Sequence, residues 1–172
     1  MAACPSPRSL IDSLGPKVLL LWAGLSIGVA FLATPAKFLA PSLTLPVALD
    51  VGRQTFRVYN SAEFILLIGL VVLGLWSSGR RNWYFALAVP AAVIIAQALW
   101  LIPALDLRVS AILSGERHLP PSNLHTFYIA AEALKVLWLL VFGLVELIGR
   151  PASSPRTESS GSPAGDSGFI QA

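Results

Sequence analysis

The side chains of this sequence best suited to chemistry are two glutamates, a lysine and a glutamine set in apolar surroundings: Glu63, Glu132, Lys135 and Gln97. Each glutamate follows a tyrosine by four residues, in Tyr59-Asn60-Ser61-Ala62-Glu63 and again in Tyr128-Ile129-Ala130-Ala131-Glu132. Lys135 comes three residues after Glu132, a helical spacing that brings an acid and a base onto one face within pairing distance. Two carboxylates and an ammonium removed from water suit three kinds of chemistry. They can hold the polar part of a ligand or handle a proton, they can clasp helices together, or they can serve as general acid and base toward a hydrophobic substrate.

The surroundings decide what must position these groups. Of 172 residues, 55% are hydrophobic and 12% charged, about half the charged fraction of an ordinary soluble domain; the mean hydropathy is +0.72. Four apolar runs stand out, roughly 18 to 38, 59 to 77, 83 to 105 and 128 to 148. Each is close to the ~20 residues a helix needs to cross the hydrocarbon core. Backbone amides in lipid must pair within their own segment, so the runs are expected to be helices. Stretches such as Phe64-Ile65-Leu66-Leu67-Ile68 do not alternate as barrel strands do. The expected fold class is therefore all-α, an integral membrane four-helix bundle. Arg8 and Lys17 ahead of the first run also fit a signal peptide, but the run exceeds the ~7 to 15 residues of a cleaved core.

Residues 1–17 read as an N-terminal cytoplasmic segment, 18–148 as the transmembrane domain, and 149–172, rich in Pro, Ser and Gly, as a disordered tail. The short connection Ser78-Gly79-Arg80-Arg81-Asn82 carries paired arginines between closely spaced helices. With the positive-inside rule it points to both termini in the cytoplasm, in an inner cell membrane. Counted over whole sides the basic residues stand at six against five, so the orientation leans on that one connection.

The two halves look alike. Pro35-Ala36 is followed 68 residues on by Pro103-Ala104, and Tyr59, Ala62, Glu63 and Gly74 are followed 69 residues on by Tyr128, Ala131, Glu132 and Gly143. Only three tyrosines and five glutamates occur in the chain. This pattern predicts two tandem two-helix repeats, 18–77 and 83–148, each with a long outer loop and both pointing the same way. Pro and aromatic-plus-acid caps marking helix ends twice over is the alternative. Depth counting from Tyr59, Tyr128 and Pro103 puts Glu63, Gln97, Glu132 and Lys135 at one level, some 6 to 9 Å inside the outer face at ~1.5 Å per residue.

The outer loops hold Arg53, Arg57, Arg108 and His125, candidates for contact with anionic lipid or substrate. Arg53 and Arg57 could share one face of a short helix along the headgroups. The two histidines, His118 and His125, do not oppose each other on separate spans, which argues against a bis-histidine haem. One Cys and one Met argue against a soft-ligand metal path. No cofactor or metal is expected. The basic residues form no stripe, so nucleic acid is not an expected partner. The lipid bilayer is, together with a homo-oligomer or a larger membrane complex.

The run Gly24–Phe38 (GLSIGVAFLATPAKF), the heptad DVGRQTF around Gly52, and Asn123-Leu124-His125 leading into ALKVLWLLVFGL resemble the small four-span membrane proteins of unknown function related to the transmembrane protein 205 group. Such proteins have a Gly-rich first helix ending in a Pro and a Phe, and an LH-type start to the last helix. The resemblance covers roughly residues 18 to 148 and implies the same four-span fold. It brings no catalytic residue, and the paired YxxAE motifs lie outside the group's pattern.

Overall fold

The structure, a computed structural model, describes residues 7–77, 79–116 and 120–149. Among them there is no strand. Four helical stretches are long and apolar enough to cross a membrane: Arg8–Leu39, Leu45–Trp76, Arg81–Leu113 and Leu124–Ile148. The first consists of α1 (Pro7–Ser26), a π-helical stretch Ile27–Ala33, the short α2 (Thr34–Ala36) and a closing 3-10 turn. The second is the continuous α3 (Leu45–Trp76). The third joins α4 (Arg80–Ala96) through a π-helical stretch Gln97–Leu101 to α5 (Ile102–Leu113), and the fourth is α6 (Leu124–Ile148).

Burial is inverted relative to a soluble protein. Leu21, Leu32, Ile65, Leu99 and Leu137 are 62 to 77% exposed, while Glu63, Gln97, Glu132 and Lys135 have no exposed surface. An apolar exterior around a polar interior is what a lipid solvent selects, and the chain is a multi-pass integral membrane protein of four helices.

The helices form a ring. α1 packs most extensively on α6, α6 on α4, α4 on α3, and α3 on α1. α1 and α4 stand on one diagonal and α3 and α6 on the other. Small residues set the close approaches: the indole of Trp83 lies where side chains at Gly15 and Gly74 would be, and Leu20 lies against Gly143. Trp83 also donates its indole N–H to the Leu70 carbonyl at 2.7 Å. Around it Leu19, Trp22, Ala23, Leu67, Leu70, Leu87, Ile94 and Leu139 make one buried apolar core. That core fills the half of the bundle nearer residues 7 and 149.

Both π-helical stretches have the same local cause. Pro35 and Pro103 have no backbone N–H, and a proline inside a helix frees a carbonyl and crowds the turn before it. In each case the residue just ahead of the proline reaches back five residues, Thr34 to the Val29 carbonyl and Ile102 to the Gln97 carbonyl. The Thr34 hydroxyl donates to the same Val29 oxygen at 2.8 Å. Such wide turns are frequent at functional sites.

The connections between the first and second spans and between the third and fourth are shorter than the sequence suggests. Instead of a loop before Tyr59, α3 begins at Leu45, so Asp50, Arg53 and Arg57 ride on the membrane helix itself and not on a separate helix along the headgroups. Likewise α5 carries Asp106 and Arg108 as far as Leu113. The reason is charge pairing: Arg53 pairs with Asp50 one turn before it, and Arg57 crosses to Asp106 of α5. We call the end with residues 40–44 and 114–123 the distal end. Arg117 and His118, residues 1–6 and residues 150–172, including the expected tail, lie outside the described residues.

Candidate functional site

The polar layer is assembled from all four spans at the bundle axis. α3 contributes Tyr59 and Glu63 and α6 contributes Tyr128, Glu132 and Lys135; Gln97 comes from the π-helical stretch of the third span, and α1 adds Trp22 and Ser26. Glu63 and Lys135 therefore meet across the diagonal of the ring. Thirteen residues separate Glu63 from the end of α3 at Trp76, and thirteen separate Lys135 from the end of α6 at Ile148. At 1.5 Å per residue both lie about 20 Å from those ends. α3 starts fourteen residues before Tyr59, so that tyrosine lies within the helix and not at its start.

Lys135 is held by three side chains. Its Nζ pairs with Glu63 Oε1, lies 2.9 Å from Glu132 Oε2 and 3.4 Å from Gln97 Oε1. The ammonium also sits 5.3 Å from the centre of the Tyr59 ring, a cation–π distance. Glu63 Oε1 accepts a second bond from the Trp22 indole N–H at 3.0 Å. Glu132 Oε2 accepts from the Gln97 amide at 2.8 Å, and its Oε1 is bonded by the Tyr59 hydroxyl. Tyr59 is also 2.6 Å from Ser26 Oγ. A phenol has a single proton. With that proton donated to the Glu132 carboxylate, the Ser26 hydroxyl donates to Tyr59.

Two carboxylates against one ammonium leave a formal excess of one negative charge when all are ionised. The N–H and O–H dipoles of Trp22, Gln97 and Tyr59 point at that excess, the arrangement a buried charge requires where water is absent. Three buried polar atoms of the layer are left without a partner: Glu63 Oε2, Asn60 Nδ2 and the Tyr128 hydroxyl. The two tyrosines occupy matching positions but different roles. Tyr59 bridges Glu132 and Ser26, whereas Tyr128 packs its ring on Phe56 at 4.7 Å and bonds nothing with its hydroxyl. Positions 94 and 95, which match Ser26 at the repeat offsets, are both isoleucine and offer no hydroxyl.

Access is one-sided. The apolar core closes the layer on one side. On the distal side a cleft of about 240 Å³ runs between the first span and α6, lined by Ala30, Phe31, Thr34, Phe56, Tyr128 and Glu132. Beside it is a chamber of about 80 Å³ lined by Lys37, Gly52, Arg53, Asp106 and His125. Thr34, Phe38, Phe56 and His125 line both spaces. The π-helical turn supplies Ala30 and Phe31 to the cleft wall.

All six residues expected in the polar layer are therefore buried near one another, and Glu63, Gln97, Glu132, Lys135 and Tyr59 form one bonded network. Of the expected distal residues, His125 and Arg53 line the chamber, Arg57 is paired with Asp106, and Arg108 shares none of these contacts. Arg53 bonds Asp50 and Ser110 Oγ but keeps a buried, unpartnered Nε. Three residues escape a sequence reading. Trp22 and Ser26 lie in the first apolar run, where an indole reads as core. Lys37 counts only as a loop charge until Gly52 is seen to admit its Nζ, which stands 2.2 Å from where a Cβ would be. Among the described residues no group of three or more His, Cys, Asp and Glu suits a metal ion. Comparison with protein families, with curated proteins and with solved structures finds no match to this chain, so the likeness to four-span proteins rests on its short motifs alone.

Proposed function

We propose that this is a non-enzymatic membrane protein that binds a small or lipidic ligand in the distal cleft, with the buried Glu63, Gln97, Glu132 and Lys135 network as its rigid polar floor. The observation that carries this reading is the cleft ending on Glu132 and Tyr128. A packed apolar core behind the network favours binding over conduction. Apolar walls with a few converging polar groups are the usual make-up of a ligand site.

The halves are read as a tandem duplication. In support, each has a π-helical turn ahead of its proline, and the α1 contact with α6 has its counterpart in the α3 contact with α4. Both termini are assigned to the cytoplasm of an inner cell membrane, which makes the distal end the outer one.

The test is purification in native lipids, followed by mass spectrometry of what is retained. An Ala30→Phe variant, which fills the cleft, should lose the retained molecule while staying folded. Identical retained molecules in both proteins would sink the proposal. A second reading has a specific observation behind it: the network is wholly buried and nearly all paired, as a clasp in an assembly subunit would be. For that reading the Ala30→Phe variant behaves as wild type, and a partner protein co-purifies in a fixed ratio.

A further inference from the structure

The distal chamber differs in charge from the layer beneath it. Lys37 makes no ion pair among the described residues; its Nζ stands over the rings of Phe38 and Phe56, 5.1 and 5.8 Å from their centres. Gly52 lets it approach α3 closely, and the next residue, Arg53, lines the same chamber with a buried Nε that bonds nothing. His125 completes the wall. The one carboxylate there, Asp106, already accepts two guanidinium bonds from Arg57. Lys37, with no ion pair among the described residues, and Arg53 thus line a space whose one carboxylate is already engaged. Below, the cleft walls are largely apolar, with Phe31, Phe38, Phe56 and Ile129, and descend beside α6 to Tyr128 and Glu132.

We propose that this cleft takes a single-chain amphiphile with a carboxylate head, that is, a free fatty acid. The carboxylate pairs with Lys37 Nζ, and the acyl chain runs down past Phe56 toward Tyr128. This rests on the ligand-binding reading above and names its ligand class. Charge complementarity selects an anion, because the Lys37 ammonium lines the space without a carboxylate of its own. A phosphate is better served by a free guanidinium fork, and both arginine forks here are committed to Asp50, Ser110 and Asp106. Size selects one chain: about 240 Å³ lies at or below the ~300 to 1,000 Å³ of drug-sized ligand sites and does not hold two. Lys37 closes the first span at its distal end, the level at which the head of a bilayer-dissolved fatty acid rests.

The experiment is equilibrium binding of laurate, dodecanol and dodecyltrimethylammonium to the full chain in neutral-lipid nanodiscs. Wild type, Lys37→Gln and Ala30→Phe are compared. Laurate should bind about tenfold or more tighter than the other two, the worth of one charge-assisted bond. Lys37→Gln should weaken laurate by about that factor and leave dodecanol unchanged, while Ala30→Phe should abolish laurate binding. Equal affinity for laurate and dodecanol, or an unchanged laurate affinity in Lys37→Gln, overturns the carboxylate assignment. If in that case Ala30→Phe still abolishes dodecanol binding, ligand binding stands and only the head-group class falls. Absence of binding by all three probes overturns this inference; whether the ligand-binding reading falls with it is then decided by the retained molecules in native lipids.

Discussion

Replacing Lys135 by Met removes the one cation of the polar layer while keeping its length and volume. Glu63 then keeps a single donor, the Trp22 indole, for two carboxylate oxygens, and Glu132 keeps Tyr59 and Gln97. Breaking a buried ion pair from one side leaves an uncompensated charge and costs ~3 to 5 kcal/mol. Glu63→Gln should cost less, about 1 to 3 kcal/mol, because Lys135 then faces Glu132 as a one-to-one pair. The double variant carries neither the ammonium nor the stranded Glu63 charge, so it should be far more stable than the sum of the singles, with a coupling of at least ~2 kcal/mol. The assay is reversible unfolding by SDS in mixed micelles, followed by tryptophan fluorescence. Ordinary interhelical hydrogen bonds in membranes couple by only ~0.6 kcal/mol on average. A measured coupling at or below that level would refute the claim that a diagonal charge pair holds α3 to α6.

The matching tyrosines should respond oppositely in the same assay: Tyr59→Phe loses a bond to a carboxylate and costs ~1.5 to 3 kcal/mol, whereas Tyr128→Phe removes an unpartnered hydroxyl and should be neutral or stabilising. Gly74→Ala puts a methyl 2.0 Å from the Trp83 ring, and overpacking of this kind costs ~1 to 3 kcal/mol; an unchanged midpoint would mean that the ring is free to move. Arg57→Ala, at a half-exposed distal pair, should shift stability by less than ~1 kcal/mol, and a larger loss would show that α3 and α5 depend on that contact.

Much of the architecture can be read directly from residue order. The four spans follow from apolar runs, and the common level of Glu63, Gln97, Glu132 and Lys135 follows from counting along helices, since rise per residue is a local constant. The helical extensions beyond the apolar runs are not legible that way. Asp50, Arg53 and Arg57 look like loop residues by composition, and only their partners on the same helix and on α5 make a helix there economical for charge. Tyr59 resembles a residue at a helix start for the same reason, and lies in mid-helix instead. Trp22 was illegible as a donor because an indole in an apolar run carries no mark of the carboxylate it will meet across the bundle.

By itself, then, the sequence determines what is local: four membrane-crossing helices and two Tyr–Glu pairs at one level. The tertiary structure alone decides that α3 and α6 face each other on a diagonal, that Lys135 answers both acids, that Tyr59 is engaged while Tyr128 is not, and that a cleft reaches the layer from the distal side only. The physical reason is that these depend on the order of helices around the ring and on the rotation of each about its axis. Both are set by packing between residues far apart in the chain, such as Trp83 against Gly15 and Gly74, and not by hydropathy or spacing within any one span.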